Sequence, residues 1–118
     1  MTDRTLTATR RTHPAGATVV AAAGELDHHT AKDLSQAVDE TPFGPDAPVL
    51  IDLTGLTYCD STGITVLVAA YNRARQSDAR LVLVGLNADL MRVFRIVGLD
   101  QLFTFQPTVE DAITALRA

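Results

Sequence analysis

Apolar residues change their period along this chain, and each change marks an element. Val49-Leu50-Ile51-Asp52-Leu53 and Leu81-Val82-Leu83-Val84 are short, nearly unbroken apolar runs. Such runs fit strands covered on both faces of a parallel sheet. Between them Ile64, Leu67, Val68, Tyr71 and Ala74 recur at helical spacing. They predict a helix from Thr62 to Gln76 whose apolar side meets the sheet. Strand, helix and strand then form a right-handed crossover unit.

The flanking segments extend this pattern. Thr5 to Thr12 is Thr-rich and weakly alternating, which suits an edge strand. His13-Pro14-Ala15-Gly16 reads as a turn, and Ala17 to Ala23 as the second strand of a hairpin. Gly24-Glu25-Leu26-Asp27-His28-His29 forms a loop into a helix, with Thr30 as N-cap, Asp33 three residues on, and Leu34, Ala37 and Val38 turned inward. Thr41-Pro42-Phe43-Gly44-Pro45 ends that helix. Asn87 caps a third helix with Leu90, Val93, Phe94 and Val97 inward. Gly98 stops it as a left-handed residue, and Leu99 folds back. Leu102 to Phe105 reads as a short strand. Thr108 caps a last helix with Glu110 and Asp111 in its first turn, where acids suit the dipole. The order ββαβαβα(β)α predicts an α/β fold, a mixed central β-sheet with about four helices packed against it.

Composition narrows the function. The 118 residues suffice for one domain, taken as 1–118, that needs no disulfide or metal. A net charge of −4 without a basic cluster argues against nucleic acid and anionic lipid as partners. The apolar runs fall short of the ~20 residues a membrane span needs. Met1 to Thr12 lacks the apolar core of a secretion signal, so a cytoplasmic protein is expected. Cys59 is the single cysteine, which leaves no disulfide framework and no zinc spacing. No phosphate-cradling loop occurs, and no cofactor is expected.

The candidate chemistry lies in Tyr58-Cys59-Asp60-Ser61-Thr62-Gly63, which joins a strand to a helix. Ser61 can be a plain N-cap, a role worth ~1 kcal/mol. As a hydrolytic nucleophile it wants Gly-x-Ser-x-Gly, but Cys59 stands where the first glycine belongs. Its base would have to be His13, His28 or His29, and Asp27 next to His28 in sequence does not make a triad. Metal binding through Asp27, His28, His29 and Cys59 lacks a recognised ligand spacing. Phosphorylation is the remaining reading. A phosphoserine adds ~1.5–2 negative charges, which a helix N-terminus tolerates. The outward side of the helix carries Thr62, Thr65, Val66, Ala69 and Asn72, with no charge between Asp60 and Arg73. Such a face suits a docked protein, or a covering loop or helix of the same domain.

Three segments together resemble the STAS-domain anti-sigma factor antagonists, also called anti-anti-sigma factors. Gly24 to Ala31 resembles the family's loop into its first helix. Val49 to Leu53 followed by Cys59-Asp60-Ser61-Thr62-Gly63-Ile64 resembles its strand and phosphorylation site. Leu90-Met91-Arg92-Val93-Phe94 with Val97-Gly98-Leu99 resembles its third helix and glycine stop. The resemblance implies a non-enzymatic antagonist that binds an anti-sigma factor with serine kinase activity and so frees a sigma factor. The partner would supply the ATP site, phosphorylate Ser61 and thereby end binding. A PP2C-type phosphatase would reverse the modification. Asp60 and Gly63 would shape the site. Asp27, His28, Thr30, Thr62, Thr65, Val66 and Ala69 would be contacts. Many members carry glycine where this chain has Thr65, which adds bulk beside the serine and bears on partner choice. The alternative is a STAS interaction module in a transport or signalling assembly.

Overall fold

A computed structural model describes residues 5–117. The outer ends of the expected 1–118 domain, and the first four residues of the stretch expected to lack a secretion signal, lie outside the described residues. The order is β1 (Leu6–Thr12), β2 (Thr18–Leu26), α1 (Ala31–Asp39), β3 (Val49–Asp52), β4 (Leu56–Cys59), α2 (Ser61–Gln76), β5 (Leu81–Val84), α3 (Ala88–Ile96), a 3-10 turn (Leu99–Gln101), β6 (Thr104–Gln106) and α4 (Val109–Arg117).

The sheet runs β1-β2-β3-β5-β6, and β4 pairs with β2. Among the strands of the described residues only β1 and β2 pair antiparallel; the hairpin turns at Gly16, whose φ of 97° favours glycine. The pairs β2–β3, β2–β4, β3–β5 and β5–β6 are parallel. The expected mixed sheet with four helices is therefore the observed one. The two continuous apolar runs are its central strands. Val49, Ile51 and Leu83 point to a core shared with Leu34, Leu67, Leu90 and Phe94 of α1, α2 and α3. Leu50, Val82 and Val84 point the other way, to Ala112 and Ile113 of α4. Helices on both faces explain why neither strand alternates.

Four details depart from the sequence pattern. No strand is expected from the sequence at Leu56–Cys59, where β4 forms. Only Leu56 of its four residues is buried, with Thr57 and Tyr58 exposed and Cys59 half-buried, so the segment shows neither an apolar run nor a strand period. In α2 the deeply buried residues are Gly63, Leu67, Ala70 and Ala74, while Ile64, Val68 and Tyr71 lie half-buried on one flank. Val93 and Val97, expected inside α3, are 40% and 55% exposed. The last strand begins two residues later than expected, after the 3-10 turn at Leu99–Gln101. Gly98 does adopt the expected left-handed conformation at φ 81°, and Asn87 and Thr108 cap α3 and α4 through Leu90 N and Asp111 N.

Candidate functional site

The register of β2 against β4 builds the site. Leu26 stands opposite Cys59, so the loops after these parallel strands leave side by side. The C-terminal edge of a parallel sheet is where α/β folds place their functional loops. One loop carries Asp27, His28, His29 and Thr30; the other is the Asp60–Ser61 junction. Asp60 N donates to Leu26 O at 3.1 Å, which ties them together.

Asp60, not Ser61, caps α2. Its backbone is extended (φ −97°, ψ −175°), and its Oδ1 accepts from Gly63 N at 3.0 Å. Ser61 is the first helical residue, exposed, and its hydroxyl stands outside the cap. The plain-cap reading of Ser61 is thereby set aside. Gly63 lies inside the helix and is buried. A Cβ there would sit 2.6 Å from Leu26 Cγ and 2.9 Å from Cys59 Sγ. Glycine therefore lets the start of α2 close onto β2 and β4, which fixes where Ser61 emerges.

Asp27 is 3% and Thr30 5% exposed, and both hold the loop from within. Asp27 Oδ1 accepts from His29 N at 2.9 Å and Thr30 N at 3.1 Å. Thr30 Oγ1 donates to Glu25 O at 2.8 Å and accepts from Asp27 N at 3.0 Å. That hydroxyl is thus spent on the loop and does not cap α1, contrary to the capping-box expectation. Burial pushes the Asp27 carboxyl up; the bonds from His29 N, Thr30 N and the Thr30 hydroxyl, with the nearby His29 ring, outweigh it and hold it below the ordinary carboxylate range. His28 is exposed and reaches back, with Nδ1 3.9 Å from Asp60 Oδ2 and its ring 4.0 Å from that of His29.

Thr62, Thr65 and Ala69 are exposed on α2, and Val66 is half-buried on the flank that Arg73 shares. Arg73 turns to α1, donating to Val38 O at 3.0 Å and Thr41 O at 3.1 Å. The outward side from Ser61 to Asn72 stays uncharged, and among the described residues no loop or helix lies over it. His13 stands apart from His28 and His29, its Nε2 3.0 Å from Glu110 Oε2 in α4. Among the described residues no three His, Cys, Asp or Glu gather as metal ligands. Burial, and next the charge of Asp60, push the Cys59 thiol up to about 12, so it is no nucleophile at neutral pH.

The family described as "Mlab, STAS domain" matches residues 9–106. The chain belongs to the STAS-domain family. This STAS chain is 40% identical over 80 residues to the anti-sigma-B factor antagonist of Listeria monocytogenes, covering 68% of this chain and 70% of that one. It is 29% identical over 102 residues to the anti-sigma-F factor antagonist RsfB of Mycobacterium tuberculosis, covering 86% and 83%. Among solved structures, an anti-sigma factor antagonist from Mycobacterium paratuberculosis superposes with a TM-score of 0.82 at 30% identity, over 97% of this chain and 96% of that one. Among the described residues of the STAS chain, no helix is long and apolar enough to cross a membrane.

Proposed function

We propose that this STAS protein is an anti-sigma factor antagonist governed by phosphorylation of Ser61. In its unmodified form it rests on an anti-sigma factor that is also an ATP-dependent serine kinase, and this frees a sigma factor in the cytoplasm. The kinase transfers phosphate to Ser61 and the complex dissociates. A PP2C-type phosphatase restores the binding form. The protein is substrate and ligand in this cycle, not catalyst.

One observation carries this reading: an exposed serine hydroxyl, relieved of capping by Asp60, opens a helix whose outward side is uncharged for three turns. The names of the relatives support it. A phosphate at that position gains ~0.3–1 kcal/mol from the helix N-terminus, so the fold tolerates it. A docked protein does not, because desolvating a dianion without a counter-charge is costly, and ~2.8 kcal/mol already lowers affinity a hundredfold. His28, Thr62, Thr65 and Ala69 meet the partner directly, with Val66 at the edge. Asp27 and Thr30 act at one remove by fixing the loop that presents His28.

Ser61→Ala and Ser61→Asp test the switch. With the cognate kinase and ATP, the wild type gains the mass of one phosphate on Ser61 and Ser61→Ala does not. Ser61→Ala keeps its affinity for the kinase, and Ser61→Asp loses about a hundredfold while keeping its thermal midpoint. Equal affinity of the two variants, or an unmodified Ser61, defeats the proposal.

A further inference from the structure

β1 is an edge strand whose open side has a defined phase. Its seven residues, Leu6–Thr12, pair with β2 on one side, and among the described residues no strand lies on the other. Glu25 N donates to Thr5 O at 2.9 Å, and His13 N donates to Ala17 O at 2.7 Å. Antiparallel partners alternate between hydrogen-bonded and non-bonded pairs, so these two bonds set the ladder between them. Thr7, Thr9 and Arg11 therefore spend their N–H and C=O groups on β2. Leu6, Ala8, Arg10 and Thr12 direct theirs outward. Such an edge is a template for another extended segment, because only a strand offers donors and acceptors at the same repeat.

The edge also carries a pattern of charge. Leu6 and Ala8 are half-buried on the α1 side, and Arg10 follows at the same period, donating to Glu40 O. Between β1 and α1 runs an open groove of about 450 Å³ whose lining includes Leu6, Ala8, Asp33 and Gln36. Asp33 is exposed and takes no part in the ion pairs of the described residues. One end of the strand is thus basic, at Arg10-Arg11, and the other lies beside an unpaired carboxylate. Charges on an edge commonly repel other strands. These two arginines do not repel a strand that brings an acid with it, and a strand of this pattern complements itself when turned end for end.

We infer that β1 pairs antiparallel with β1 of a second copy about a twofold axis at Thr9, joining two sheets into one. A twofold contact uses the same patch on both copies, which is what this edge offers. Leu6 pairs with Thr12 of the other copy and Ala8 with Arg10, so every outward N–H and C=O of the strand is engaged. A shift of two residues either way leaves one end unpaired, and one of those shifts sets Arg10 against Arg10, a destabilising pair. At the axis Thr9 meets Thr9, a favourable cross-strand pair. Arg10 of each copy falls beside Ala8 of the other, on the side where Asp33 borders the groove. β1 and β4 flank β2 at Gly24 from opposite sides, so the seam lies across β2 from the strand that leads to Ser61.

The test is sedimentation equilibrium of the full-length protein, with amide exchange read by NMR. One pair of edge strands makes a small interface, so a dimer with a Kd on the order of 10–100 μM is expected. As concentration rises through that range, exchange slows at the Ala8 and Arg10 amides, whereas the Thr9 amide is protected throughout. Ala8→Pro removes an outward donor and sets its ring in the seam while sparing the bonds to β2, and it weakens self-association by about tenfold or more. Arg10→Glu weakens it by about tenfold, and Asp33→Arg in the same chain restores most of the loss. These last two changes lie on exposed side chains, so they keep the wild-type circular dichroism and serve as the test where Ala8→Pro does not fold. A wild type that stays monomeric to about 1 mM overturns the proposal. So does a dimer that Ala8→Pro leaves unchanged, and a loss in Arg10→Glu that Asp33→Arg does not repair overturns the Thr9-centred register. A monomeric wild type whose affinity for the cognate anti-sigma kinase falls in Ala8→Pro gives the edge to a strand of that protein, and overturns the proposal as well.

Discussion

Gly63→Ala is the sharpest test of how Ser61, the proposed phosphoacceptor, is positioned, because two effects oppose each other. Alanine in a helix is favoured over glycine by up to about 1 kcal/mol. An added methyl at Gly63 lands 2.6 Å from Leu26 Cγ and 2.9 Å from both Leu26 Cδ2 and Cys59 Sγ. Leu26 has no exposure and cannot step aside, so the start of α2 must lift from β2 and β4. Overpacking of this kind costs ~1–3 kcal/mol. The steric term wins, and a net loss of about 1 kcal/mol is expected, a fall of roughly 4 °C in thermal midpoint for a domain of this size.

A double-mutant cycle isolates the cause. Leu26→Ala alone removes the two Leu26 blocking atoms at a cost of ~2–5 kcal/mol and leaves Cys59 Sγ at 2.9 Å. In that background the penalty of Gly63→Ala shrinks, offset in part by the helix preference for alanine of up to about 1 kcal/mol. Urea denaturation of the four proteins reads both terms. Kinase assays add a second readout, because a lifted helix start displaces Ser61 and slows its phosphorylation. Gly63→Ala as stable as the wild type or more so, with additive effects in the cycle, refutes close packing as the reason for glycine here.

Two further expectations concern the neighbouring groups. The folded Asp27 carboxyl titrates below its unfolded value of about 3.9, so its contribution to stability is complete above that pH and fades as pH falls through the folded value. Acid unfolding of Asp27→Asn is therefore expected to be less steep than that of the wild type below about pH 4, and parallel curves refute the depressed pKa. Cys59, half-buried with its thiol pushed up to about 12, is expected to react with a disulfide reagent at neutral pH far more slowly in the native protein than in the unfolded chain; equal rates refute the raised pKa.

The elements set by strong local pattern were legible, and those set by tertiary position were not. Val49 to Leu53 and Leu81 to Val84 announce buried strands because both of their faces are covered. β4 carries no such signal, since only Leu56 is fully inside and its partner is one end of a longer strand. Apolar spacing cannot say how far a core reaches around a helix. For α3 it counted Val93 and Val97 as core, and the surplus apolar flank is a surface feature of the folded chain. Polar loop residues were misplaced for a related reason: the side chains of Asp27 and Thr30 are consumed by backbone groups that come within reach only when the loop closes.

The serine shows the same limit at its most consequential point. Asp60 and Ser61 are both competent caps, and nothing in their order says which one takes Gly63 N. The extended backbone of Asp60, drawn to Leu26 O by the pairing of β4 with β2, settles the matter. Were Ser61 the cap, its modification would fall on the very oxygen that holds the helix start. Here the aspartate carries the structural duty and the serine stands beside it without one. The proposed modification of Ser61 would then change what the surface binds at little cost to the fold, the property that the proposed on-off cycle requires.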